Sequence, residues 1–496
     1  MEQLKNLFKQ SETGFSNYRA TFTKIDVVFP IEGADRLMRA IVCGRDVVIS
    51  KDLPINNIYV YIPIETSLSH KYLSKNNLYR ISSDSYQLND NFEEVNKYLM
   101  IKGQSLSDLS AMGGFFEKNG RVKQIKIRGV YSQGYLVDIK SLQIAYPILD
   151  QYMVDEFEEL DGISFDVIGD EIFCEKYIVG GKKPIEQKVN DQKHYQQRSK
   201  NLRRASILVP GQFKYHYDTA QFGDNYKKFH PSDDVTISVK VHGSSGIFGN
   251  VKCYKRKEDC NWIQRVFYWL YRPKEYRLLY ASRTKIRNEK IYDIPRDSHY
   301  FYGSDIWAPV RDLLGEHIEK GMIIYGEIVG YVESTTKMIQ KGHDYGCVPG
   351  EWKFMPYRIV EVDRKGNRKE WNLKEVADWT DNLKAHLATS HQYHGVKHLM
   401  TVPILYNGPF GYLYSDLNCD DENWNLMLLE KMKNDKEILG MECQEPLCKM
   451  KAPREGVVIR INDDPTPRAW KLKSMAHYDL ERKSHDTGEQ DIEEES

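Results

Sequence analysis

Val235-Thr236-Ile237-Ser238-Val239-Lys240-Val241-His242-Gly243-Ser244 sets the reading of this chain. Val235, Ile237 and Val239 alternate with Thr236 and Ser238, the period-2 pattern of a strand with an apolar face. Gly243 then permits a turn, so the strand ends with Lys240 at its rim and His242 just beyond. Alone, such a lysine is an ordinary strand-end surface residue and such a histidine an ordinary turn residue. The weight comes from the residues downstream and from their order along the chain.

Ser282-Arg283 closes an apparent strand, and Tyr325-Gly326-Glu327 lies inside the apolar run Met322 to Val329, where a carboxylate needs a partner. Tyr357 sits in Phe354-Met355-Pro356-Tyr357-Arg358-Ile359. Glu455 opens Glu455-Gly456-Val457-Val458-Ile459, and Lys471-Leu472-Lys473 comes sixteen residues after Glu455. Taken singly, Tyr357 reads as a core aromatic, and Lys471 with Lys473 as the exposed face of an edge strand. The chain has neither a G-x-x-x-x-G-K-[ST] loop nor a G-x-G-x-x-G turn, so any nucleotide is held by other means.

In this order the residues resemble motifs I, Ia, III, IIIa, IV and V of the covalent nucleotidyltransferases, meaning the polynucleotide ligases and mRNA capping enzymes. Lys240-Val241-His242-Gly243-Ser244 and the ending Lys471-Leu472-Lys473-Ser474 look most like the ATP-dependent RNA ligases. Pro30-Ile31-Glu32-Gly33-Ala34-Asp35 and Arg128-Gly129-Val130-Tyr131-Ser132-Gln133-Gly134 resemble the N-terminal OB-like module of the Deinococcus-type RNA ligases. The resemblance implies an α+β chain: an N-terminal OB-like β-barrel, then a nucleotidyltransferase (adenylyltransferase) domain of antiparallel sheets flanked by helices. Patterning and composition place the boundaries at 1–145 for the nucleic-acid-binding module, 146–206 for a connecting segment with a basic linker, 207–476 for the ligase domain and 477–496 for a polar and acidic tail.

The resemblance further implies that Lys240 attacks the α-phosphate of ATP, that AMP passes from it to an RNA 5′-phosphate, and that a 3′-hydroxyl then displaces AMP. By motif position, Arg283 and Glu327 hold the ribose and its surroundings, Tyr357 stacks on adenine, and His242 and Gly243 orient pyrophosphate or the nearby network. Lys471 and Lys473 contact the α-phosphate, and Glu455, with Glu327, binds Mg²⁺ or Mn²⁺. These residue types suit the chemistry. A free lysine has a pKa near 10.4, so only about one in a few thousand is neutral at pH 7, and clustered cations both disfavour its charged form and draw in phosphates. The chain departs from the pattern at Val239, where many RNA ligases carry Glu before the nucleophile. It departs again in the 43 positions from Lys240 to Arg283, which hold a basic and aromatic insert (Arg256, Trp262, Arg265, Phe267, Tyr271, Arg272) readable as a further nucleic-acid contact or as a packed helical hairpin.

Outward from this core, 496 residues allow two or three domains, and 41% hydrophobic with 12% aromatic residues exclude global disorder. Segments Ala20 to Val28, Ala40 to Ser50, Ile58 to Pro63 and Val122 to Gly129 read as short strands of a small barrel. In the last, Arg121, Lys123, Lys126 and Arg128 form a basic face, either tracking a phosphate backbone or simply solvated. Residues 180–206 are rich in Lys and Arg, a solvated linker or a strap over nucleic acid. Further on, helices are predicted near Tyr302 to Lys320, Leu373 to Ala388 and Asn423 to Ile438. Six acids and no Lys or Arg fall in the last twelve residues, so removing them turns a net charge of −1 into +5, which permits a polyanionic partner.

The N-terminus lacks the apolar core of a signal peptide and no run reaches 18 apolar residues, so a soluble, cytoplasmic chain without a membrane partner is expected. The eight scattered cysteines are expected as reduced thiols, since Cys443 and Cys448 stand far from His394 and His398. The expected partner is RNA ends or a nicked duplex, and the expected state a monomer. A DNA ligase would place an OB domain after motif V, where only about twenty polar residues come after Lys473. A non-catalytic RNA-binding protein on a ligase fold is the rival from another class, opposed by the intact set of Lys240, Glu327, Glu455, Lys471 and Lys473.

Overall fold

The computed structural model describes residues 2–11, 16–80, 85–102, 114–179, 208–217, 219–268, 270–283, 285–287, 302–390, 393–439, 444–462 and 469–487. The chain divides into two compact units: Met1–Lys182 with Gln221–Lys227 and Tyr478–Glu489, and Lys183–Ala220 with Lys228–His477 and Gln490–Ser496. Both are mixed α and β, with antiparallel sheets.

In the first unit, Gly134–Asp138, Tyr59–Pro63, Ala20–Thr23 and Ser164–Phe165 form one sheet in that order, and Val27–Pro30, Leu37–Val42 and Arg45–Ser50 another. Every residue of Tyr59–Pro63 is buried, so both faces of this strand are covered. Phe8, Phe22, Phe157 and Phe165 meet at centroid distances of 4.8–6.2 Å and anchor the core. Among the described residues the strand order closes no barrel. The predicted Val122 to Gly129 strand is Ile125–Ile127, turning into Val130–Ser132 through Arg128 and Gly129, both at positive φ as a two-residue hairpin turn demands. Its basic face is not a bare one: Arg121 is buried on Glu65, and Lys123 pairs with Glu117 and Asp486. The linker at 180–206 lies outside the described residues.

The second unit holds two antiparallel sheets. Strands β1 (Asp234–Lys240), β7 (Ile404–Pro409), β8 (Gly456–Ile461) and β9 (Ala469–Lys473) are ordered β9-β8-β1-β7. Strands β2 (Ser244–Tyr254), β3 (Lys274–Ala281), β4 (Met322–Gly330), β5 (Trp352–Val362) and β6 (Arg368–Glu370) are ordered β3-β2-β4-β5-β6. Helix α3 (Leu373–Ala388) starts on an Asn372/Glu375 capping box and buries Leu373, Val376, Thr380, Leu383 and Leu387, the 3.6-residue stripe its sequence predicts. That stripe joins Trp307, Ile324 and Phe354 in one core. The helix predicted over Tyr302 to Lys320 is shorter, α2 (Ala308–Leu314) followed by a 3₁₀ turn at Gly315–His317. Helix α4 is Trp424–Asn434, and α5, Met475–Asp486, occupies the start of the predicted tail.

Among its described residues, the insert between β2 and β3 forms no packed helical hairpin. Its helix α1 (Trp262–Val266) is five residues long, and Trp262 and Tyr271 are 76% and 69% exposed.

Candidate active site

One row across the first sheet builds the site. Lys240 pairs with Gly456 between β1 and β8, and Gly456 pairs with Lys473 between β8 and β9. The carboxylate of Glu455, one residue before Gly456, accepts from Lys240 Nζ, and Lys473 Nζ lies 3.5 Å from the same oxygen, Oε1. Glycine at 456 is what this close approach requires: a Cβ there would stand 2.2 Å from the Leu472 carbonyl oxygen and 2.8 Å from Lys473 Cα. Strand alternation places Lys471, paired with Val458, on the same face as Lys473.

The charges are concentrated and dry. Burial pushes the Glu455 carboxyl up, but Lys240, Lys473 and His242 more than offset it and hold it well below the usual carboxylate range. Lys471 moves the other way: burial, then the charges of Lys473 and Lys240, push its amine down to about 7. Arg283, just past the end of β3, adds to that repulsion.

His242 is fixed through its backbone N–H, which donates to the buried Tyr345 hydroxyl at 2.7 Å, and its Nδ1 stands 3.5 Å from Glu455 Oε2. His477 Nε2 lies 4.0 Å from Glu455 Oε1. His477 is placed by the first turn of α5, where Ser474 Oγ accepts its N–H at 3.1 Å and donates to the Arg454 carbonyl at 2.6 Å, as an N-cap serine does. His343 packs edge-on against both, its centroid 4.8 Å from His242 and 6.1 Å from His477.

Glu327, on β4, pairs in register with Ser245 and Met355. Burial, then the Glu327 charge, push the Tyr357 hydroxyl up to about 12, and a bond with Ser245 draws it partly back. Gly243 lets the chain after Lys240 lie against β4, since a Cβ there would come within 2.6 Å of the Ile328 carbonyl oxygen. The structure therefore brings Lys240, His242, Glu455, Lys471 and Lys473 together, sets Arg283 within electrostatic reach of Lys471, and sets Tyr357 beside Glu327. Such a buried basic wall around one carboxylate suits a polyphosphate.

Residues 233–473 match the family model described as RNA ligase. This span is similar to an RNA ligase domain. No curated protein matches the chain in sequence. Among solved structures, the chain is similar to a Naegleria gruberi RNA ligase mutant with AMP and Mn, at 16% identity over 93% of this chain and 98% of that one with a TM-score of 0.48. It is likewise similar to Naegleria gruberi RNA ligase with PPi, at 17% identity over 94% and 98% with a TM-score of 0.47.

Sequence reasoning missed four residues around this basic wall. His216 is pushed down to about 3 by burial and by Arg283, Arg358 and Lys471, which keeps it neutral. His343 is pushed down to about 4 by burial and by His242. Tyr345 and His477 complete the set. Only His477 had a local signal, the Ser474-Met475-Ala476-His477 helix start directly after the lysine pair.

Proposed function

We propose that the chain is an ATP-dependent RNA ligase, joining RNA 3′-hydroxyl and 5′-phosphate ends through lysyl-AMP and RNA-adenylate intermediates, in RNA repair or nick sealing. The observation that carries this reading is the meeting of Lys240, Lys471 and Lys473 around the single buried carboxylate of Glu455, inside the matched domain. Phosphoryl transfer needs in-line positioning and charge neutralisation more than covalent assistance, and this wall supplies both.

In the first step the neutral amine of Lys240 forms a bond to the α-phosphorus of ATP as the bond to the β-phosphate oxygen breaks, releasing pyrophosphate. Lys471 and Lys473 face the charge that builds on the α-phosphate oxygens. Arg283 and Glu327 hold the ribose side, Tyr357 stacks on adenine, and His242 with Gly243 borders the leaving pyrophosphate. In the second step an RNA 5′-phosphate oxygen displaces Lys240 from AMP. In the third, a 3′-hydroxyl attacks the activated end and AMP leaves.

The residues present fit a divalent cation, Mg²⁺ or Mn²⁺: His242, Glu455 and His477 offer ligand atoms that all lie within 4.8 Å of one another. Glu455 would hold the ion, with Glu327 as the second expected carboxylate; when bound, it neutralises phosphate charge as a Lewis acid. Residues 1–145 are proposed to act as an OB-like module that grips RNA ends or a nicked duplex. Among the described residues, no helix is long and apolar enough to cross a membrane.

The test is intact mass after incubation with ATP and Mg²⁺ or Mn²⁺, on protein first stripped with pyrophosphate. The wild type is expected to gain one AMP, and folded Lys240→Ala none. No gain in the wild type overturns the ligase reading and promotes a non-catalytic RNA-binding protein.

A further inference from the structure

We infer that His242 and His477 are direct nitrogen ligands of the divalent ion held by Glu455, so that the site prefers a transition-metal ion such as Mn²⁺ or Co²⁺ over Mg²⁺. The inference rests on the reading of Glu455 as the metal-binding carboxylate and adds to it the identity of the donors. His477 lies beyond the matched span, which ends at residue 473.

The donor atoms of His242, Glu455 and His477 converge, all within 4.8 Å of one another, close to the spacing of ligands to one ion. Two atoms each about 2.1 Å from a common metal stand roughly 3.0–3.4 Å apart, in octahedral or tetrahedral arrangement. His242 Nδ1 and Glu455 Oε2 are 3.5 Å apart already. His477 Nε2 is 4.0 Å from Glu455 Oε1, so a shift of about half an ångström brings it in. Two imidazoles on one ion have ring centroids roughly 4.5–5.2 Å apart, each ring centre lying about 3.2 Å from the metal. The centroids of His242 and His477 are 4.9 Å apart with the rings at 77°.

Oε1 takes Lys240 and faces Lys473 and His477, while Oε2 faces His242. His343, the third ring of the cluster, is excluded as a donor because its nitrogens face the carbonyls of Lys341 at 3.3 Å and Pro453 at 3.1 Å. His242 and His477 are each anchored through the backbone, by Tyr345 and Ser474 respectively. These bonds fix the backbone from which each ring projects.

The donor set decides the metal. Mg²⁺ takes oxygen ligands and sheds water reluctantly, whereas two imidazoles and a carboxylate favour first-row transition ions and leave positions open for phosphate oxygens. The neighbouring lysines repel a bare cation, and the triphosphate of ATP offsets that repulsion. Metal and nucleotide should therefore bind better together than apart.

The experiment uses Mn²⁺ as the probe on the full chain, stripped of AMP and of metal, with intact mass read on a second portion of the same sample after addition of ATP. Electron spin-echo modulation of bound Mn²⁺ is expected to show coupling to ¹⁴N in the wild type and reduced coupling in His477→Gln. In binding titrations, Mn²⁺ is expected at least about tenfold tighter than Mg²⁺. His477→Gln should remove most of that preference and leave Mg²⁺ affinity within about threefold. Bound Mn²⁺ without ¹⁴N coupling in the wild type overturns the inference, whether or not AMP is transferred. Because that spectrum needs no variant, a His477→Gln chain that fails to fold leaves the test intact. Failure of the AMP adduct alone, with ¹⁴N coupling present, overturns the ligase reading and leaves the metal site standing.

Discussion

Lys471 is an amine that burial and the charges of Lys473, Lys240 and Arg283 push down to about 7. In the unfolded chain it titrates near 10.4. The sign comes from linkage: the unfolded state binds the extra proton between those two values, so the penalty for burying Lys471 is fully present below about pH 7 and fades as the pH rises towards 10. Two outcomes are expected. ATP affinity should fall as the pH is raised through about 7, because the phosphate contact needs the protonated amine, and Lys471→Arg should flatten that dependence. Lys471→Met should lower ATP affinity at least about tenfold yet raise Tm at pH 6.5 by a few degrees, the size of ~1 kcal/mol in a domain of this length. Nucleotide titration and thermal melts across pH check both, and a Lys471→Met chain that melts lower at pH 6.5 overturns the account. Lys240, Glu455, Lys471 and Lys473 were legible in the sequence through their fixed order along the chain, with Lys240, Glu455 and Lys473 at strand ends and Lys471 inside β9. His216, His343 and Tyr345 were not, because they reach the site from loops whose path is set by tertiary packing, and a lone histidine or tyrosine in a loop carries no periodic signal.

Among the elements, β1 was legible to within a residue because β-branched residues dominate it, and β4 was legible through the apolar run Met322 to Val329. Strand β2 was not, although it is eleven residues long and central to its sheet. Ser244-Ser245-Gly246 and Gly249-Asn250 have low strand propensity and read as turn; the small residues are there because neighbours crowd them, a Cβ at Gly246 coming 2.8 Å from the Phe248 ring. The same logic makes Gly456 a test of how the row Lys240–Gly456–Lys473 is assembled. Gly456→Ala drives its Cβ into backbone, which cannot rotate away, so β8 and β9 must separate. A loss of roughly 1–3 kcal/mol in chemical denaturation is expected, with adenylylation reduced by more than stability alone explains. Wild-type Tm and adduct yield in Gly456→Ala would show that the pairing has slack. The insert predicts the opposite behaviour. Since Trp262, Phe267, Leu270 and Tyr271 are all more than half exposed, replacing Asn261–Tyr271 by a short Gly-Ser link should leave Tm and AMP adduct yield unchanged. A fall in either, read by thermal shift and intact mass, would mean that those side chains support the fold or the site.

In the whole chain, the reading of residues after 476 as a tail was drawn from composition, and composition does not distinguish a solvated charge from one whose partner lies far away in sequence. Tyr478–Glu489 belongs to the same compact unit as Met1–Lys182. There Arg121, its side chain 1% exposed, holds Glu65 through Nε and Nη2 and Asp486 through Nη1 at 2.9 Å. His485 Nδ1 is 2.8 Å from Glu65, Lys123 is 3.0 Å from Asp486, and Asp479 accepts from Gln124 and from the Tyr131 hydroxyl. Ending the chain after His477 strands Gln124, Tyr131 and one arm of Arg121, each at roughly 1–3 kcal/mol if water does not replace the partner. The truncated chain is therefore expected to melt several degrees lower at pH 7, with earlier proteolysis of the first unit. The pH dependence has a definite sign. Burial pushes the Asp486 carboxyl up, but the hydrogen bond and charge of Lys123, with Arg121, bring it below its ordinary value. Its contribution is full above the ordinary aspartate value near 3.9 and is lost as the pH falls through the lower folded one, so the gap between full and truncated chains should narrow below about pH 4. Equal melting temperatures at pH 7 would return residues 478–487 to the status of a tail. A gap that persists unchanged at low pH would assign the stabilisation to helix packing and not to the carboxylate.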